Sequence, residues 1–139
     1  MQTFVPYGSD FTANAASLDY RRLGKQRVEG MQILNTITGR SNGWKNHPAV
    51  KMWIDFPEAL ADYTIAMCDH WVSLGYKDTC KAKILDALGH APKNFFVPDW
   101  LNDLEVQISH RSNLIRKFPE HYAAIWPTIP DNLPYKWPA

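Results

Sequence analysis

Two cysteines in 139 residues are too few for a disulfide-built scaffold. Cys68 and Cys80 also lack the neighbouring cysteines or histidines that a zinc site needs, so both are expected to be small buried apolar residues. No stretch approaches the roughly 18 apolar residues of a membrane span. The N-terminus has no basic lead-in, and its apolar piece, residues 4–7, is too short for a secretory signal. A cytoplasmic protein is expected, nucleoid-associated or in the cytoplasm of a phage-infected host. Charge of one sign is missing as well: 15 Lys and Arg face 14 Asp and Glu, leaving a formal net charge of +1. The molecule as a whole therefore does not attract nucleic acid, and any such function must rest on charge gathered into patches. There is no repeat, no Gly-rich phosphate loop, no Ser/His/Asp order and no metal-ligand spacing. The corresponding expectations are no cofactor and no metal.

What is present is apolar residues, 45% of the chain with six tryptophans, in a length that suits one domain over residues 1–139. Pro6 and Gly8 keep the first ten residues irregular. A helix is expected from near Ser17 to Ile37, stopped by Gly39, with Tyr20, Leu23, Met31, Leu34 and Ile37 inward. Pro48 opens a short helix, and Pro57 opens a long one in which Leu60, Tyr63, Met67, Trp71 and Leu74 recur at spacings of three and four. A further helix follows Asp78 to Leu88, stopped by Gly89. Another, capped by Asp99, carries Leu101, Leu104, Ile108 and Ile115 up to Pro119, and a last turn or two precedes a proline-rich tail bearing Tyr135 and Trp137. The fold class is all-α: a compact single-domain bundle of about four to five helices, with an irregular N-terminal segment and an extended aromatic C-terminal tail.

Several residues break this pattern. The stretch LDYRRLGKQRVEGM sets Arg21, Arg22, Lys25 and Arg27 within seven positions. Arg21 and Lys25 project away from the core, whereas Arg27 projects between Leu23 and Leu34; Arg111 likewise falls among Leu104, Ile108 and Ile115. Two readings stand: the inward arginines line a cleft for an anion such as phosphate, or they pair with core carboxylates such as Asp19 or Asp103. Arg22, Gln26 and Glu29 form a polar stripe at the edge of the apolar face. Glu29 is thus either a carboxylate at a cleft margin, suited to acid/base or charge-stabilising work, or part of a solvated ionic surface. His47 and His110 are each a cap, a core group or a catalyst. The aromatic tail either stacks on bases or covers its own core.

In ordered patches over about half its length, the chain resembles the pyrimidine-dimer DNA glycosylase/AP lyase family of the bacteriophage endonuclease V type and its bacterial relatives. RRLGKQRVEG resembles the family's first-helix motif, GWKNHPAVKMW its Gly-Trp, Lys, His and Val spacing, SLGY the turn after the central helix, and ISHRSNLIRKFPEHY the later helix. The family fold is compact and all-helical.

The resemblance implies a DNA-repair enzyme that needs no cofactor and acts, as a monomer, on double-stranded DNA holding a lesion or modified base. The free α-amine attacks the sugar C1′ of the damaged nucleotide, releases the base and forms an imine, and β-elimination then cuts the strand. An α-amine, with a pKa of about 8, is partly neutral and nucleophilic at physiological pH. A first-helix glutamate stabilises positive charge on the sugar, arginines hold the flanking phosphates, and a base is flipped from the stack. Carried over, Met1 supplies the amine, Arg27 falls on the motif's arginine, and Val28 stands where the glutamate is expected, with Glu29 following. Glu29 is the residue expected to act, together with Met1 and Arg27. Phage members lose their methionine before a small second residue, whereas Gln2 is too large for efficient removal, so Met1 itself is expected to react. The implied DNA contacts are Arg21, Arg22, Lys25, Lys45, His47, His110, Arg111, Arg116, Lys117 and Trp137. A binder of kinked or modified DNA that lacks the chemistry is the alternative; a small-molecule enzyme or a protein-interaction module on the same scaffold is a third.

Overall fold

Asp10 starts the first helix by accepting the Ala13 N–H at 3.1 Å, the usual work of an N-capping carboxylate. In the computed structural model, which describes residues 1–138, the helices run α1 Phe11–Ser17, α2 Tyr20–Ile37, α3 Pro48–Lys51, α4 Pro57–Ser73, α5 Cys80–Leu88, α6 Leu104–Lys117 and α7 Pro119–Ile125. A 3₁₀ turn, Asp99–Asn102, precedes α6, and no strand occurs among the described residues. The all-α class holds, with more helices than the four to five expected.

The expected helix from Ser17 divides in two. Leu18 and Asp19 are extended, and Asp19 does not cap α2 with its side chain. Its carboxylate is taken instead by the Tyr122 hydroxyl at 2.5 Å and by Arg22 at 3.3 Å. The helix expected from Asp99 also begins later, because Asp103 accepts the Glu105 N–H and so sets the start of α6. Gly39 and Gly89 fall where the stops were expected, both with left-handed φ, which costs glycine little.

The inward faces differ from the expected ones. Leu60, Tyr63 and Met67 of α4 are fully buried, but Leu74 is exposed, as are Tyr20 of α2 and Leu104 of α6. The inner face of α2 is Leu23, Gln26, Gly30, Ile33 and Leu34. Gly30 is needed there because a Cβ would lie 2.2 Å from Thr64 Oγ1, so α2 and α4 approach through that glycine. Helix α5 packs on both, and α1 lies on α4. Cys68 and Cys80 are buried free thiols, as expected. Among the described residues no helix is long and apolar enough to cross a membrane.

Residues 3–5 run extended through the interior, all under 5% exposed. A non-helical segment at that depth must find partners for its backbone groups, and side chains from all around supply them. Phe4 N–H donates to Gln26 Oε1 at 2.9 Å and Val5 N–H to His110 Nδ1 at 3.0 Å. The Thr3, Phe4 and Pro6 carbonyls accept from the Tyr135 hydroxyl, the Tyr63 hydroxyl and Arg111 Nε. The C-terminal tail crosses this segment, held by the Ser112 and Ser109 hydroxyls, which accept the Leu133 and Lys136 N–H groups.

Candidate active site

The path of the N-terminal segment brings residues 1 and 2 to the margin of α2. There the Glu29 carboxylate, through Oε2, accepts the Gln2 N–H at 3.4 Å and an N–H of Gln26 Nε2 at 3.0 Å. The same Gln26 nitrogen donates to the Gln2 carbonyl at 2.8 Å. Beside this group lies a cleft of about 600 Å³, lined by Gln2, Phe4, Asp19 to Arg22, Lys25, Gln26, Glu29, Lys117 and Phe118.

Four cations, Arg21, Arg22, Lys25 and Lys117, share that cleft with only two carboxylates. One of these, Asp19, is already committed to Tyr122 and Arg22; burial pushes its carboxyl up, but those bonds hold it below the usual carboxylate range. Burial, with Arg22, Lys25 and Arg116 nearby, holds the Lys117 ammonium below the usual lysine range, and Glu29 offsets this only in part. Cations gathered with too few anions oppose one another in the unliganded chain. Such a cleft suits a polyanion.

His47 stands on the other side of the N-terminus. Its Nδ1 accepts the Ala49 N–H at 3.0 Å and caps α3, and its ring meets Trp44 and Trp137 edge-on. Burial and then the Met1 ammonium hold its imidazole below the ordinary value, while Glu29 acts in the opposite sense. Met1, Glu29 and His47 therefore form one electrostatic neighbourhood. Val28, at the position where the carboxylate was expected, is 37% exposed on the outer face of α2.

Other candidates lie elsewhere. Arg27 is turned away from Glu29: its guanidinium pairs with Asp78, lies 3.9 Å from Cys80 Sγ and stacks 4.4 Å over the Trp71 ring, with its side chain only 12% exposed. Arg27 thus lies away from the cleft, and its partner is Asp78 rather than Asp19 or Asp103. His110 is fully buried, bonded to Val5 N–H and stacked 4.3 Å from Tyr135; burial brings its pKa down to about 3, so it is neutral and turned into the core. Arg111 holds the Pro6 carbonyl and lies over the Tyr7 and Trp126 rings. Arg116 holds the Asp131 and Leu133 carbonyls of the tail. Trp137 packs on His47 and Tyr135, covering the protein instead of standing free. Lys45 is exposed in the loop after α2, outside the cleft.

Pattern reading missed the importance of Gln26, 2% exposed and bonded to four groups. Its position three residues after the buried Leu23 was the available signal, because an amide on a core face requires partners. The Tyr63 hydroxyl, on the inward stripe of α4, carried the same signal, and Gln2 carried none.

No curated protein and no solved structure matches the chain. Residues 1–84, which hold the N-terminal segment, Glu29, His47 and most of the cleft, match the family model described as pyrimidine dimer DNA glycosylase. A match over that share of the chain, with an all-helical fold behind it, means that the chain belongs to the pyrimidine dimer DNA glycosylase family.

Proposed function

We propose that the protein excises a damaged pyrimidine from double-stranded DNA and then cuts the strand as an AP lyase, with the Met1 α-amine as nucleophile and Glu29 as the carboxylate that assists it. The observation that carries this reading is the Glu29 carboxylate bonded to the N–H of residue 2, one residue from the amine, at the wall of a cation-rich cleft. A glycosylase that works through an amine needs a nucleophile, a negative group near the sugar and cations for the phosphates. Glu29 and four cations line the cleft, and the residue that follows Met1, Gln2, lines it with them, which supports the reading.

In the proposed sequence the neutral amine attacks C1′, and the glycosidic bond breaks with its electron pair leaving on the base, which takes up a proton. The C1′–O4′ bond then breaks with its electron pair leaving on O4′, which takes up the nitrogen's second proton as the first goes to the base, so the ring opens and an imine forms. Glu29 faces the positive charge that develops on the sugar. Loss of a C2′ proton then expels the 3′ phosphate, and water hydrolyses the imine to free Met1. Arg21, Arg22, Lys25 and Lys117 hold the strand.

Borohydride trapping tests this reading. With a duplex bearing a cyclobutane pyrimidine dimer, or an abasic site, the wild-type chain is expected to give a covalent protein–DNA adduct whose mass places the link on Met1. An N-terminal extension should abolish the adduct, and Glu29→Gln should slow its formation by about 10²-fold or more. No adduct with either DNA refutes the proposal, and salt-sensitive binding that survives Glu29→Gln without any cleavage would establish the non-catalytic binder instead.

A further inference from the structure

Among the described residues, Gln26 is the one whose side chain bonds both to the N-terminal segment and to Glu29. Its orientation is set by the backbone. The Phe4 N–H can only donate, so Oε1 must face it at 2.9 Å; the Gln2 carbonyl can only accept, so Nε2 must face that at 2.8 Å. The remaining Nε2 hydrogen points at Glu29 Oε2, 3.0 Å away. The Tyr63 hydroxyl, 2.7 Å from Oε1 and 2.8 Å from the Phe4 carbonyl, shares its one hydrogen between them. Burial, and then Tyr135 and Glu29, push the Tyr63 phenol up, so that hydrogen stays in place.

All four hydrogen-bonding positions of a buried amide are thus used. Two of them fix the backbone of residues 2 and 4, which determines where Met1 starts. One fixes Oε2 of Glu29, leaving Oε1 as the oxygen free to face a sugar. Resting on the function proposed above, we infer that Gln26, steadied by Tyr63, is the positioning residue of the reaction: one amide holds nucleophile and carboxylate in a fixed relation. A solvent-exposed linkage would give no such precision, because water would compete for each bond.

Gln26→Glu is the informative change. It keeps the shape and the oxygen that accepts from Phe4, but an ionised carboxylate cannot donate to the Gln2 carbonyl and would stand against Glu29. The titratable and charged groups around this point are the Met1 amine, Arg22 and Lys25 of α2, His47, Tyr63, Lys117 and Tyr135. Lowering the pH protonates the introduced carboxyl and restores a donor.

Single-turnover cleavage of a pyrimidine-dimer duplex is the assay, with affinity measured separately on the same duplex in which the dimer's sugar cannot react. Gln26→Glu is expected to lower the rate by about 10²-fold while the Kd stays within threefold. Its rate relative to wild type should rise as the pH falls from 8 toward 5. Tyr63→Phe, which removes one hydroxyl and keeps the ring, is expected to lower the rate by about threefold to tenfold with unchanged Kd. Should Gln26→Glu lack a cooperative melt, Tyr63→Phe decides, and a wild-type rate in that variant overturns the inference. A folded Gln26→Glu chain that cleaves at the wild-type rate, or whose deficit does not change with pH, also overturns it. No cleavage or trapped adduct with wild type overturns the underlying functional reading, and the inference falls with it.

Discussion

Replacing Asp78 with alanine separates a structural Arg27 from a DNA-binding one. The Asp78 side chain is 4% exposed and that of Arg27 12%, so the pair sits largely out of water. Asp78 also accepts the Cys80 N–H at 3.2 Å and the Lys81 N–H at 2.9 Å, tying down the start of α5. Removing the carboxylate leaves a mostly buried guanidinium without its anion, a loss of about 3 kcal/mol. The freed α5 amides add about 1 kcal/mol. The expected total of about 4 kcal/mol is a large part of the 5–15 kcal/mol typical of a domain. Arg27→Met should cost less, about 2 kcal/mol, because Asp78 would keep its two backbone donors. The double variant should cost less than the sum. Burial pushes the Asp78 carboxyl up, but Lys81 N–H, Arg27 and Cys80 N–H bring it below the ordinary carboxylate value. With the folded pKa below the unfolded one, its contribution is complete above about pH 4 and is lost as the pH falls through the folded value. Guanidinium titration followed by tryptophan fluorescence reads all of this, with Trp71 directly under Arg27 as the reporter. An Asp78→Ala cost below 1 kcal/mol, or an Arg27→Met chain of unchanged stability and weakened DNA affinity, would refute the reasoning and return Arg27 to the phosphates.

Lys117→Ala should weaken binding to lesion-free and lesion-bearing duplex alike and lower the slope of log K against log salt by about one; an unchanged slope would remove Lys117 from the interface. The same change is expected to stabilise the free protein slightly in thermal melts, since Lys117 stands among Arg22, Lys25 and Arg116. Gly30→Ala should cost at least about 2 kcal/mol in denaturant titration, because the new Cβ would press on Thr64, which is buried and bonded to the Leu60 carbonyl; a neutral result would mean that α2 and α4 can separate freely. His110, held neutral by burial down to about pH 3, makes stability depend on acid. Its folded pKa lies below the unfolded value of about 6.5, so its contribution is full above that pH and lost as the pH falls toward 3. Melting of His110→Phe should show a shallower acid limb than wild type.

Helix ends were legible where one residue decides them: Pro48 and Pro57 at first turns, Gly39 and Gly89 at stops. Helix faces were less so. The inward face of α2 depends on Gly30, which has no side chain and adds nothing to a hydrophobic pattern while setting the closest approach to α4. Tyr20 looked inward and instead stacks on Tyr76 at the surface. Helix α6 misled for a different reason. Beside Val106, Leu114 and Ile115 its buried residues include Ser109, His110, Ser112 and Asn113, polar groups that serve the N-terminal segment and the tail, so its apolar residues mark only part of its inner side. The short α1, FTANAAS, has small polar residues and no periodic stripe to announce it.

The polar residues of the site were legible as breaks in the pattern, but their partners were not. Pattern breaks on α2 and α6 pointed to Arg27 and Arg111 as a cleft lining with Glu29 at its margin, yet Arg111 holds Pro6, its neighbour His110 holds Val5, and Gln26 holds Gln2 and Phe4. Arg27 and Asp78 are 51 residues apart in the chain, a pairing that no helical projection can supply. These polar residues share one physical cause. A chain whose N-terminal segment lies inside the protein must bring a partner to each buried backbone group, and those partners are polar side chains on otherwise apolar faces. The requirement has a chemical counterpart. An α-amine at a chain end is ordinarily among the most mobile groups of a protein, whereas here residues 3–5 are fixed from α2, α4, α6 and the tail, leaving Met1 a short tether beside Glu29. The side chains that looked like misplaced binding residues are what would give a terminal amine the fixed geometry that nucleophilic attack requires.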